Sequence, residues 1–215
     1  LTYLARGQTD FLVDDDHFRL ESGSLTIARP WQQHRVGNPW VGPSRLCWLI
    51  LDVGVRRPNQ PWLWPPWLVL SPADLAHLTT LLSHNEQSVW TASEDIGACF
   101  ERIAEAVQKP DPAAGQSRLK LNINELLLAV FELLQQRKMP LDSRLVSARR
   151  TVELFLADLA QRLDYPWTLA EMAERCGLGR TRFAEYCRQM VNMTPAEYLA
   201  HSRIESAKRR LEAEP

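Results

Sequence analysis

Residues 167–195 read WTLAEMAERCGLGRTRFAEYCRQMVNMTP, and the rest of the chain is best approached from this stretch. Thr168 is a candidate helix N-cap, because its hydroxyl can accept from backbone N–H groups that the first turn leaves unpaired. Behind it Leu169, Met172, Ala173 and Cys176 fall on one helical face. Gly177 follows, a residue that adopts the left-handed conformation without a Cβ penalty. A second helix starts near Arg180, with Phe183, Tyr186 and Cys187 apolar and Arg180, Arg182, Glu185, Arg188 and Gln189 polar.

Helix, tight Gly-containing turn, and a helix with Arg at its start is the layout of a helix-turn-helix. Such a second helix must offer its N-terminal polar residues to a major groove while its other face holds the first helix. Local charge agrees: between Cys176 and Arg210 there are seven basic residues against three acids, in a chain of net charge −1. An αα-hairpin with a solvated Arg face gives the same pattern, so residue types alone leave both readings open.

The string from Cys176 to Leu211 resembles the first helix-turn-helix of the AraC/XylS family of transcription regulators. The likeness lies in the Cys176-Gly177 turn, the aromatic Phe183, the apolar face running to Cys187, and the turn-plus-cap Met193-Thr194-Pro195. Tyr198, Leu199, Arg203, Ile204, Ala207 and Leu211 are similar to the family's connecting helix. The resemblance covers about Asp142 to Leu211; Asn192 stands where the family usually has Gly, and Asn also tolerates that conformation. The family has a second helix-turn-helix after the connecting helix, and this sequence stops at Pro215, so half of the implied DNA surface lies outside it. By position in the motif, Thr181, Arg182 and Glu185 are implied to face base edges, Arg to guanine and Glu to cytosine N4. Arg180 and Arg188 are implied to reach phosphate. Thr168 either joins them through the helix N-terminus or is a plain cap.

Upstream the texture differs. Residues 1–70 carry short apolar or β-branched segments between turn residues: Tyr3–Leu4, Phe11–Val13, Phe18–Leu20, Ser24–Ala28 and Leu46–Val53. Closely spaced strands without helices predict a sandwich or barrel. Ser71-Pro72-Ala73-Asp74 starts a helix, and Ser93-Glu94-Asp95 starts another. Lys109 to Gln116 (KPDPAAGQ) reads as a linker. Ser117 to Lys138 is a long helical pattern whose wide apolar face, Leu119 to Leu134, needs cover on more than one side. That cover is either the rest of one chain or, as in the family's dimer helix, partly a second copy. Trp62-Leu63-Trp64-Pro65-Pro66-Trp67 either caps a barrel mouth or, the favoured reading, staples the barrel to the next helix.

Residues 23–38, GSLTIARPWQQHRVGN, resemble the second cupin motif through Gly23, Pro30, His34 and Asn38, with Trp31 where the motif usually has Gly. Many AraC/XylS members carry an N-terminal cupin-like ligand domain, and the opening LTYLARGQTDF is similar to the start of the barrel in sugar-responsive members. The resemblance implies a small-molecule site using Arg6, Trp31, His34 and Trp48. Val36 and Leu46 occupy two further contact positions and offer no polar side-chain contact, so arabinose itself is not implied. Only His17 and His34 fall in the barrel region and no H-x-H pair exists, so no metal cage is expected. No G-x-S-x-G nucleophile motif appears. The four Cys match no zinc spacing and read as free thiols of a reducing cytosol. No apolar run approaches the ~18–20 residues of a membrane span. The sequence begins at Leu1 rather than Met, as a processed, trimmed or cloned fragment does.

The expectation is therefore an α+β chain. Residues 1–110 form a cupin-like jelly-roll β-barrel sensor with trailing helices, 111–141 a linker and dimerisation helix, and 142–215 an all-α, AraC-type helix-turn-helix domain, incomplete. It is expected to be a cytoplasmic regulator rather than an enzyme, without cofactor or metal. Its partners are double-stranded DNA, a small-molecule effector of the sugar class, and a second copy paired through Leu119–Leu134. The alternative is a non-enzymatic cupin-type binding module that does not touch DNA.

Overall fold

The computed structural model describes residues 1–108, 114–137 and 140–213. Among these the chain is mixed α+β, with a curled six-stranded antiparallel sheet and seven α-helices. The strands are β1 (Thr2–Val13), β2 (Asp16–Glu21), β3 (Ser24–Thr26), β4 (His34–Val36), β5 (Ser44–Trp48) and β6 (Val89–Thr91). The helices are α1 (Pro72–Ser83), α2 (Glu94–Gln108), α3 (Gly115–Gln136), α4 (Ala148–Leu159), α5 (Leu169–Arg175), α6 (Arg180–Val191) and α7 (Pro195–Ala213). They fall into two compact units: Leu1–Arg56 with Pro61–Asp142, and Arg57–Gln60 with Ser143–Pro215. The first holds twelve basic and sixteen acidic side chains, net −4; the second thirteen and ten, net +3.

In the first unit β1 is the organiser. It pairs with β2, β3, β4 and β5, and β3 carries β6 at the edge, so the sheet curls into a half-barrel. The expected strands Tyr3–Leu4 and Phe11–Val13 are the two ends of this one strand; the polar residues between them, such as Arg6 and Gln8, are its outward side and not a turn. Leu4, Phe11, Val13 and Leu20 fill the concave face. On the other face Tyr3 stacks on Phe100 of α2 with ring centroids 5.3 Å apart. Val13 leads through Asp14, at φ 50, into β2, and Gly23, at φ 89, turns β2 into β3. β4 and β6 were not anticipated: each has three residues, too few to show a period.

Ser71 caps α1 as its sequence suggests, accepting from Asp74 N–H at 3.1 Å, with Pro72 at the first turn. The Trp-rich run is a staple. Trp64 Nε1 donates to Thr79 Oγ1 of α1 at 2.8 Å, Trp64 and Trp67 pack on the helical core, and Val69 N–H donates to Asn124 Oδ1 of α3 at 2.7 Å. α3 begins at Gly115; most of the expected linker, residues 109–113, lies outside the described residues. Ile123, Leu126, Leu127, Val130, Phe131, Leu133 and Leu134 of α3 are all buried within the first unit. Past its first turn α3 leaves outward a seam of Leu121, Glu125, Leu128, Glu132 and Gln135, which widens at the helix ends to Gln116, Ser117, Arg118 and Gln136.

The second unit is helical. Ser147 caps α4, accepting from Arg150 N–H. Val152, Leu156 and Leu159 of α4 meet Met172, Ala173 and Cys176 of the α5 region, Phe183 and Cys187 of α6, and Leu199 of α7. Edge-to-face rings lock the centre: Phe155 lies 5.8 Å from Phe183 and 5.4 Å from Trp167. No helix among the described residues is long and apolar enough to cross a membrane.

Candidate nucleic-acid interface

The α5–α6 pair is positioned by three local devices. At its start Thr168 and Glu171 form a reciprocal capping box: Glu171 N–H donates to Thr168 Oγ1 at 3.2 Å and Thr168 N–H to Glu171 Oε2 at 3.0 Å. The Thr168 hydroxyl also donates to that carboxylate at 2.7 Å, and these bonds hold the Glu171 pKa below its ordinary value. The hydroxyl is therefore spent on the cap. At the end of α5, Gly177 takes φ +63. Leu178 N–H then donates to Ala173 O at 2.9 Å and Gly177 N–H to Glu174 O at 2.8 Å, the paired closure of a Schellman turn. Asn192 ends α6 at φ 54, and Thr194 and Glu197 form a second capping box that opens α7.

Between these devices α6 is buried on one side only. Phe183 and Cys187 point into the core, and burial raises the Cys187 thiol pKa. Thr181, Arg182, Glu185 and Arg188 are all exposed on the opposite side, and Arg180 is exposed at the helix start. The α6 N-cap, Gly179, supplies no side-chain hydrogen bond, so the first N–H groups of α6 remain open beside Arg180. Arg182 is oriented by its own helix: its guanidinium carbon sits 5.8 Å from the Tyr186 ring centroid, one turn on. Gln189, one turn after Glu185, shares the exposed face and was not among the expected contacts. Its helical position was the available signal.

The four expected effector residues do not converge. Opposite residues of an antiparallel pair share a face, and neighbours along a strand alternate. Trp48 stands opposite Thr2, and Leu46 opposite Leu4, on the concave face. Between Leu4 and Arg6 the register shifts by a bulge, so Arg6 stands opposite Arg45, on the other face. His34 returns to the concave side, opposite Val13, at the far end of β1 from Trp48. Those ends are on the order of 30 Å apart along the strand path. His34 Nδ1 lies 3.0 Å from Gln32 O, and Trp31 is half-buried in the turn before β4. Trp48 is 60% exposed. One polar group of the concave face stands out: Thr9 Oγ1 is buried without a hydrogen-bond partner.

Among the described residues no group of three or more His, Cys, Asp or Glu is placed to hold a metal ion. A groove of about 260 Å³ runs between α5 and α7, lined by Trp167, Leu169, Leu199, Ala200 and Arg203. It is smaller than the ~300–1,000 Å³ typical of small-molecule sites. No family model, no curated protein and no solved structure matches the chain.

Proposed function

We infer that the chain is a DNA-binding transcription regulator of the AraC/XylS kind, in which α5–turn–α6 is a helix-turn-helix and α6 its reading helix. One observation carries the reading: α6 offers Thr181, Arg182, Glu185 and Arg188 on a single exposed face while Phe183 and Cys187 anchor the other. The excess of basic over acidic side chains in this unit supports it, because phosphate neutralisation dominates DNA affinity. Arg182 and Glu185 are assigned to base edges, Arg180 and Arg188 to phosphate. Thr168 serves as the cap that orients α5.

The half-barrel is proposed as the sensing part of a cupin-like domain for a small-molecule effector of the sugar class. Its support is the resemblance of the Gly23–Asn38 segment and the orphaned Thr9 hydroxyl on the concave face. Pairing of two copies is proposed through the outward seam of α3, where Leu121 and Leu128 are 65% and 46% exposed.

Fluorescence anisotropy of a labelled random-sequence duplex, titrated with the protein across a salt series, tests the DNA reading. Affinity should fall log-linearly with salt, and Arg188→Ala should reduce the slope by ~1. A flat salt response of the unaltered protein would sink this reading and leave the small-molecule binding module.

A further inference from the structure

One piece of the second unit comes from far away in sequence: Arg57-Pro58-Asn59-Gln60. It is a turn, with Pro58 buried and Gln60 N–H donating to Arg57 O at 3.2 Å. Asn59 Nδ2 donates to Cys176 O at 3.0 Å, across 117 residues. Cys176 is the C-cap of α5, so its carbonyl is among those a helix end leaves without an intrahelical partner. The Arg57 guanidinium covers the next residue: a Cβ on Gly177 would come within 2.5 Å of Nη2 and 2.7 Å of Nε. The two residues that set the angle between α5 and α6 are thus held by two side chains of one distant turn.

We propose that Arg57 and Asn59 are positioning residues for the reading helix: the Arg57–Gln60 turn braces Cys176-Gly177, and its release reorients α6 and changes DNA binding. The inference rests on the DNA-reading proposal above. The brace is built to let go. Arg57 Nε and Asn59 Oδ1 are buried without hydrogen-bond partners, so both atoms regain water when the turn leaves. Its two ends, Arg56 and Pro61, are covalently continuous with the first unit.

The test uses the full 215-residue chain. Asn59→Asp removes the donor to Cys176 O at nearly constant size, and Arg57→Ala removes the cover of Gly177 without removing that hydrogen bond. Amide exchange is followed in residues 177–183, with α3 as the internal fold control, alongside anisotropy of a random-sequence duplex across salt. Both variants should speed exchange around Gly177 about tenfold or more, with α3 unchanged. They should change DNA affinity at least about threefold while leaving the salt slope unaltered, since a positioning residue removes no phosphate contact. Should Asn59→Asp loosen the whole second unit, Arg57→Ala decides. Unchanged exchange in both variants overturns the brace. Faster exchange with unchanged affinity overturns its role in reading, and so does a salt slope lowered by Arg57→Ala, which would make Arg57 a direct phosphate contact. If the unaltered protein shows no salt-dependent affinity although the variants loosen the turn, the DNA reading itself has failed and the brace is structural only.

Discussion

α3 and α6 are both amphipathic helices, and they are used in opposite ways. α3 buries Ile123, Leu126, Leu127, Val130, Phe131, Leu133 and Leu134 within its own unit and keeps an outward seam that widens only at the helix ends. α6 buries Phe183 and Cys187 and leaves its polar side exposed, with Arg182 and Arg188 on it and Arg180 at its start. The wider the apolar stripe, the more a helix serves as core; the narrower it is, the more surface it can present to a partner. The charge of the two units follows the same division, net −4 around α3 and net +3 around α6.

The strongest way to break this contrast is to empty each core separately. Phe183→Ala should cost ~3–5 kcal/mol and Leu126→Ala ~2–5 kcal/mol, because both side chains are fully buried. In urea, followed by amide exchange, each variant should lower the transition of its own unit alone. If either substitution shifts both transitions together, the units are one cooperative body and the contrast falls.

Gly177→Ala is next in size. Its φ of +63 costs an L-residue ~1–2 kcal/mol, and the new methyl meets the Arg57 guanidinium. The expected outcome is a lower melting temperature for the second unit and a displaced Arg57; an unchanged melting curve would show that the turn is not set by that conformation.

Thr168→Ala should cost ~1 kcal/mol by removing the cap of α5. The capping bonds depress the Glu171 pKa, so their contribution is complete above the ordinary Glu range near pH 4–5 and is lost as pH falls through the depressed value. The difference in melting temperature between the two proteins should therefore narrow on acidification; a difference independent of pH would remove Glu171 from the cap.

The smallest effect on stability, within about ±0.5 kcal/mol, is expected for Leu128→Glu on the α3 seam, since this side chain is exposed. If two copies pair there, sedimentation equilibrium should register loss of the dimer, and the melting temperature should lose only the concentration dependence that pairing gives it. A dimer that survives would place the pairing surface elsewhere.

Residue order alone made the helical half of the molecule legible. The caps Ser71 and Thr168, the left-handed Gly177 and Asn192, and the opposed faces of α6 all follow from interactions within a turn or two of each residue, and the structure has them where the sequence puts them. The half-barrel was legible only as a set of strand-forming segments. Whether Tyr3–Leu4 and Phe11–Val13 are two strands or one, and which face Arg6 takes after the bulge, depend on β5 and its register about forty residues away. That single shift separates Arg6 from Trp48, two side chains the sequence resemblance had joined. The same holds for Arg57 and Asn59, which no local pattern marks and which reach Cys176 and Gly177 only when the chain is folded. Capping and backbone conformation are short-range and so written in neighbouring residues; strand register and long-range contacts are chosen among many pairings by the packing of the whole, and only the tertiary structure decides them.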